Sequence, residues 1–176
     1  MLWFEDIHIR SRLPPIMEKP ILKKPKRSVL YITVNPAPTV QWTKFRDKTL
    51  KLLKSNTIEW IILVFEQRGE TLAEIGKGFH THILYKMKDY SMSLYDHKRA
   101  LKRKYRSMLD VNNPNLLNIQ VIPDHLIEKK KDYLILPKID KNKHKKQQMD
   151  EIWRENKNIF SIYRCPDQVL KPHEEK

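Results

Sequence analysis

The apolar positions of this chain fall into two kinds of run, short ones suited to strands and longer ones with helical spacing. SVLYITVN (Ser28 to Asn35) is rich in β-branched and aromatic residues, and Pro36 and Pro38 stop it, which predicts a strand. IEWIILVFE (Ile58 to Glu66) is apolar on both faces, as a central strand is. FHTHILYKM (Phe79 to Met87) predicts a third strand and LNIQV (Leu117 to Val121) a fourth. RGETLAEIGKG, between the second and third, holds all three glycines of the chain and predicts a loop or hairpin connection.

Helical spacing appears in four places. Thr43 to Lys54 brings Phe45, Thr49, Leu52 and Leu53 near one face. Leu94 to Leu109, with Ser91 or Ser93 as N-cap, turns Leu94, Leu101, Tyr105 and Met108 inward. Lys98, Arg99, Lys102, Arg103 and Arg106 then face outward or line a groove. Pro123-Asp124 opens a third helix through HLIEKKKDYLIL, which Pro137 ends. Lys145 to Asn156 makes a fourth, anchored by Met149, Ile152 and Trp153. No internal repeat is present. The order β-α-β-β-α-β-α-α predicts an α+β domain, a central mostly antiparallel sheet of about five strands flanked by helices. That domain spans 28–153. Residues 1–27 form a basic arm with four of the eleven prolines, and 154–176 a charged tail or linker.

Charge narrows the choice of partner. Lys and Arg exceed Asp and Glu by 35 to 21, giving +14, a balance that favours polyanions through phosphate contacts. No basic segment with bulky apolar anchors lies outside the globular part, so nucleic acid is favoured over an anionic membrane surface. No apolar run approaches the ~20 residues of a membrane span. The start, MLWFEDIHIRSR, carries acids and lacks the apolar core of a signal peptide. The single Cys165 excludes an internal disulfide framework and a multi-cysteine zinc site, and a reducing compartment follows. KKPKR (Lys23 to Arg27) is either a nuclear-import signal, a phosphate-binding arm or a solvated linker.

Candidate chemistry begins on the third strand. Period two puts His80 and His82 on one face, about 7 Å apart along the backbone, close enough to converge on one cation. By themselves two such histidines more often mark an incidental polar face. Glu66 shares a face with Ile62 and Val64, where an unpaired buried charge would be costly. If the second and third strands are neighbours, it sits beside both histidines; otherwise it pairs with Arg68 or a lysine. One carboxylate with two neutral imidazoles suits Mg²⁺ or Mn²⁺, and would accept Zn²⁺. Tyr133 lies on a helix amid lysines, with Lys130 one turn before it and Lys138 beyond the helix end. Nearby cations favour a phenolate nucleophile. A core tyrosine under a basic helix is the plainer alternative.

Taken together, YITVNP (Tyr31 to Pro36), Glu66 in VFEQ, FHTHILY (Phe79 to Tyr85) and DYLILPK (Asp132 to Lys138) resemble, in order and spacing, the motifs of HUH-superfamily replication initiators. These are the Rep endonuclease domains of eukaryotic circular single-stranded DNA viruses, and the Leu-Pro-Lys after the tyrosine is similar to that of parvovirus initiators. The resemblance implies an HUH endonuclease, RRM-like fold. It implies a divalent metal, Mn²⁺ or Mg²⁺, on Glu66, His80 and His82, and Tyr133 as nucleophile with Lys130 or Lys138 assisting. DNA contacts would come from Tyr31, Thr33 and Asn35. Arg99, Lys102, Arg103 and Arg106 are further candidates for backbone contact. The implied activity is nicking and joining of single-stranded DNA at an origin stem-loop, through a 5′-phosphotyrosyl intermediate and a 3′-hydroxyl that primes rolling-circle or rolling-hairpin replication. The implied partners are that DNA and a helicase, fused or separate, with room for an oligomer. The implied place is the host nucleus, or otherwise the cytoplasm. A non-catalytic basic module for single-stranded nucleic acid is the competing reading; it accounts for the charge but not for the four motifs together.

Overall fold

A computed structural model describes residues 29–88, 93–137 and 141–165. Five strands form one antiparallel sheet: β1 (Val29–Val34), β2 (Ile58–Glu66), β3 (His80–Met87), β4 (Leu117–Ile122) and β5 (Tyr163–Cys165), in the order β4-β1-β3-β2-β5. Four helices flank it: α1 (Trp42–Leu50), α2 (Leu94–Tyr105), α3 (Ile127–Ile135) and α4 (Lys141–Lys157). The fold class expected from the apolar patterning is the one observed. The arm 1–27 and its KKPKR cluster, Ser91 and Lys138 lie outside the described residues. Among the described residues, no helix is long and apolar enough to cross a membrane.

Local chemistry explains where most elements stop. The α1 helix ends at Leu50, four residues sooner than its apolar spacing predicts. Leu52 and Leu53 donate to Thr49 and Leu50, tightening the chain into turns that still bury Leu52. Ser93 caps α2 by accepting from the Asp96 amide at 3.1 Å, while its hydroxyl donates to the Asp96 carboxylate at 2.7 Å. That helix likewise ends sooner than Leu109, in a turn that keeps Met108 and Leu109 buried. Pro123 leads into a short 3₁₀ turn (Asp124–Leu126) before α3 begins. Leu136 is extended in front of Pro137, whose ring disfavours a helical residue before it.

The two faces of the sheet are packed differently. On one, Leu30, Ile32, Leu63, Phe65, Ile83 and Tyr85 meet α1 and α2 in the larger core. Trp42 lies edge-on to Phe65 at 5.0 Å and to Trp153 at 4.7 Å, making an aromatic cluster that closes this side. On the other face, Val29, Tyr31, Ile62, Val64 and Leu84 pack with Leu134 of α3.

The boundary at residue 153 requires correction. Tyr163–Cys165 pairs with Ile61, Ile62 and Leu63 as the edge strand, and Ile159 and Tyr163 are buried in the larger core. Part of the segment expected to be a charged tail thus belongs to the sheet. Its strand is only three residues long and follows a charged helix end, so little alternation betrays it.

Candidate metal centre

Strand register brings the three proposed ligands together. Glu66 lies directly opposite His80, and Val64 opposite His82, so the carboxylate and both imidazoles emerge on one face. Nε2 of each histidine is 3.5 Å from the same Glu66 oxygen. One donor atom from each of the three residues lies within 4.8 Å of the other two. The connection between these strands is tightly folded and needs its glycines. A side chain at Gly69 would meet the Glu74 carbonyl at 2.1 Å, and Gly76 has φ +84°, which a residue with a Cβ rarely adopts. Arg68, the alternative partner for Glu66, instead donates to the Asn35 side chain at 2.9 Å.

Hydrogen bonding on the far side of the rings decides what Nε2 can offer. His80 Nδ1 lies 3.1 Å from the Gly78 carbonyl, which only accepts, so Nδ1 carries a hydrogen. In the neutral ring Nε2 is then a lone pair facing a carboxylate. Two acceptors in that position call for a proton or a cation between them. His82 Nδ1 meets the Tyr31 hydroxyl at 2.9 Å and Thr33 Oγ1 at 3.1 Å, and Tyr31 stacks on the ring at 10° between planes. Such outer contacts fix ring orientation in metal sites. Burial alone would raise the Glu66 carboxyl, but the hydrogen bonds and charges of His80 and His82 outweigh it and hold the group well below the usual carboxylate range. The donor set therefore fits a divalent cation.

Helix α3 packs on the same face of the sheet as this cluster. Lys130 Nζ sits 4.1 Å from the centre of the Tyr31 ring and 5.1 Å from that of Tyr133, bridging the two phenols. Tyr133 is 47% exposed, so it is not a core tyrosine. Tyr31 differs. It is buried, and burial first, then the charges of Tyr133 and Glu66, push its phenol up against the lowering effect of Thr33. Tyr31 therefore remains a neutral phenol bound to His82.

The expected DNA contacts divide accordingly. Tyr31 and Thr33 turn their side chains to His82, and Asn35 spans two loops by accepting from Arg68 and donating to the Asn115 carbonyl at 2.6 Å. Tyr31 is buried between His82 and Lys130, whereas Thr33 and Asn35 are half-buried. Arg99, Lys102, Arg103 and Arg106 are exposed, but α2 packs on the opposite face, so the sheet separates them from Glu66, His80 and His82.

Two side chains that hold the backbone beside Glu66 escaped sequence reasoning. Along the outer edge of β2, β5 pairs only as far as Leu63. Beyond it, Arg154 donates to the Phe65 carbonyl at 3.1 Å, and the Gln67 amide donates to Asp150 at 2.8 Å. Both residues are buried and lie one helical turn apart on α4. They grip the backbone on either side of Glu66 where a longer β5 would have bonded. The only signal was their i, i+4 spacing beside Trp153. Burial first, then the Glu66 charge, raises the Asp150 carboxyl to about 6, while the Gln67 amide, Arg154 and His80 act to lower it.

Neither family models, curated proteins nor solved structures give a match to this chain.

Proposed function

We propose that this protein nicks and rejoins single-stranded DNA at a replication origin by tyrosine transesterification. The observation that carries the reading is the convergence of Glu66, His80 and His82 on the sheet face that also carries a helix with an exposed Tyr133 and Lys130 beside it. The strand-and-turn arrangement alone would not support it, because one fold serves many functions. Mn²⁺ or Mg²⁺ held by Glu66, His80 and His82 would draw charge from the oxygens of a bound phosphodiester.

Tyr133 Oη attacks the phosphorus and the bond to the 3′ oxygen breaks. The phenolic proton is lost and the departing 3′ oxygen gains one, so no water is consumed. The 5′ end is left on the tyrosine and the 3′-hydroxyl is free to prime rolling-circle synthesis; the reverse attack rejoins the strand. Lys130, over the Tyr133 ring, favours negative charge on the phenol oxygen and the transferring phosphate. Tyr31 and Thr33 hold His82 in orientation, and Asp150 and Arg154 hold the backbone around Glu66. The net charge of +14 suits a polyanionic substrate.

The test is a denaturing gel of a hairpin library with unpaired loops, in Mn²⁺, with parent protein and Tyr133→Phe. The expected result is an SDS-resistant protein–DNA band from the parent alone. A band that survives in the variant moves the nucleophile to another tyrosine. Cleavage without an adduct points to a water-using nuclease, and binding with neither points to a non-catalytic module.

A further inference from the structure

Beside the metal centre, α3, α4, the end of β2 and residues 161–162 enclose a cavity of about 230 Å³. Glu66 is part of its wall, and Leu134, the residue after Tyr133, is another. Its floor is apolar, formed by Val64, Leu134 and Ile162. Its side is polar: Gln147, Gln148 and Glu151 lie at neighbouring positions of the α4 surface. A flat apolar body with a hydrogen-bonding edge is the shape this combination accepts. The volume falls below the roughly 300–1,000 Å³ of a drug-sized site, which suits one ring system and excludes a base pair.

The charge of the lining selects further. The chain as a whole is basic, yet three carboxylates, Glu66, Asp150 and Glu151, border this cavity against His144 and one guanidinium, Arg154, which donates to the Phe65 carbonyl. Carboxylates repel a phosphate and accept hydrogen bonds from amino groups. They do not converge as a second cation site, since among the described residues the only grouping of potential ligands is Glu66, His80 and His82. Cytosine, adenine and guanine carry an exocyclic amino group, whereas thymine offers carbonyls in its place.

We infer that this cavity receives one unpaired, amino-bearing base of the strand bound at Glu66, and that it discriminates against thymine. The inference rests on the proposed DNA chemistry for its class of ligand. A phosphate seated at the Glu66, His80 and His82 cluster has the cavity within one nucleotide's reach, because Glu66 belongs to both.

Fluorescein-labelled dC12, dT12 and dA12 are the probes, with dissociation constants measured by anisotropy in Mn²⁺. A homopolymer offers the same base at every register, and the comparison of dC12 with dT12 holds ring size constant. The parent protein is expected to bind dC12 about tenfold more tightly than dT12, the discrimination of one well-formed edge contact. Ser161→Trp, at an exposed wall position, fills the cavity and is expected to erase the difference with unchanged Mn²⁺ affinity and thermal midpoint. Glu151→Gln, also exposed, is expected to reduce the preference about threefold because an amide serves thymine as well. It carries the test alone if the tryptophan variant fails to fold. Equal binding of dC12 and dT12 by the folded parent overturns the inference, as does a preference that survives both substitutions. Adduct formation without base preference removes the cavity's role and leaves the proposed chemistry standing. A base preference without any adduct does the reverse.

Discussion

On one face of the sheet Phe65, Thr81 and Ile83 are sealed under α1, α2 and Trp153; one residue along, Glu66, His80 and His82 look out from a face that carries α3. The same two strands supply both sets, because side chains alternate. On the sealed face even a polar residue is accounted for within the strands, Thr81 donating to the Val64 carbonyl at 2.9 Å. On the other, polar groups meet across the sheet and leave acceptors aimed at one another. Stability and chemistry are thus separated by a single step in register, which makes the separation testable.

The largest effect belongs to the sealed face. Phe65→Ala is expected to cost about 3–5 kcal/mol, since a fully buried ring leaves a cavity between Trp42, Phe45 and Tyr163. Urea denaturation measures it, and a cost under about 1 kcal/mol would mean that the aromatic cluster is not the seat of stability. His82→Ala should behave in the opposite way. Mn²⁺ affinity, followed by calorimetry, is expected to fall by more than the roughly 10–100-fold that loss of a supporting group costs. Its stability without metal should fall by only about 1–2 kcal/mol, for the contacts to Tyr31 and Thr33 that go with the ring. Unchanged Mn²⁺ affinity would break the comparison.

Asp150 sharpens it, being a charge placed between the faces. Its carboxyl is raised from 3.8 to about 6, so over that interval the folded chain keeps a proton that the unfolded chain releases. Stability from this group therefore declines as pH rises through the window. Asp150→Asn keeps an oxygen for the Gln67 amide and removes the charge. The variant should exceed the parent at pH 7.5 by on the order of 1–3 kcal/mol, with the gain shrinking towards pH 4. Urea unfolding at the two pH values decides it; a variant weaker at both would make the carboxylate a net stabiliser. The smallest effect is expected from Tyr31→Phe, about 1 kcal/mol in stability for one buried hydrogen bond. The loss in Mn²⁺ affinity should be no more than about tenfold, since Thr33 still reaches His82. A larger loss of affinity would make Tyr31, rather than Thr33, the main support of that ring.

Much of this arrangement was legible from alternation alone. The placing of Glu66, His80 and His82 on one face needed only period two and an antiparallel pair, and both are local consequences of apolar patterning. Tyr31 was harder. Its face could be deduced, but its burial depends on Lys130 settling over the ring from a helix about a hundred positions away. The edge strand and the α4 grip were hidden for a related reason. Tyr163 to Cys165 is placed by pairing with β2 and by the burial of Tyr163 against Phe65, and Asp150 and Arg154 look like ordinary surface charges until their backbone partners are known.

That grip bears on the order in which the chain is made. Residues 65 and 67 leave the ribosome long before their partners, which follow 89 and 83 positions later. The four strands nearest the amino end can pair while α4 is still unmade, yet the backbone around Glu66 stays ungripped until Arg154 emerges. A nascent chain would thus hold paired strands before the Glu66, His80 and His82 cluster is fully supported, and that support would arrive only once α4 has been made.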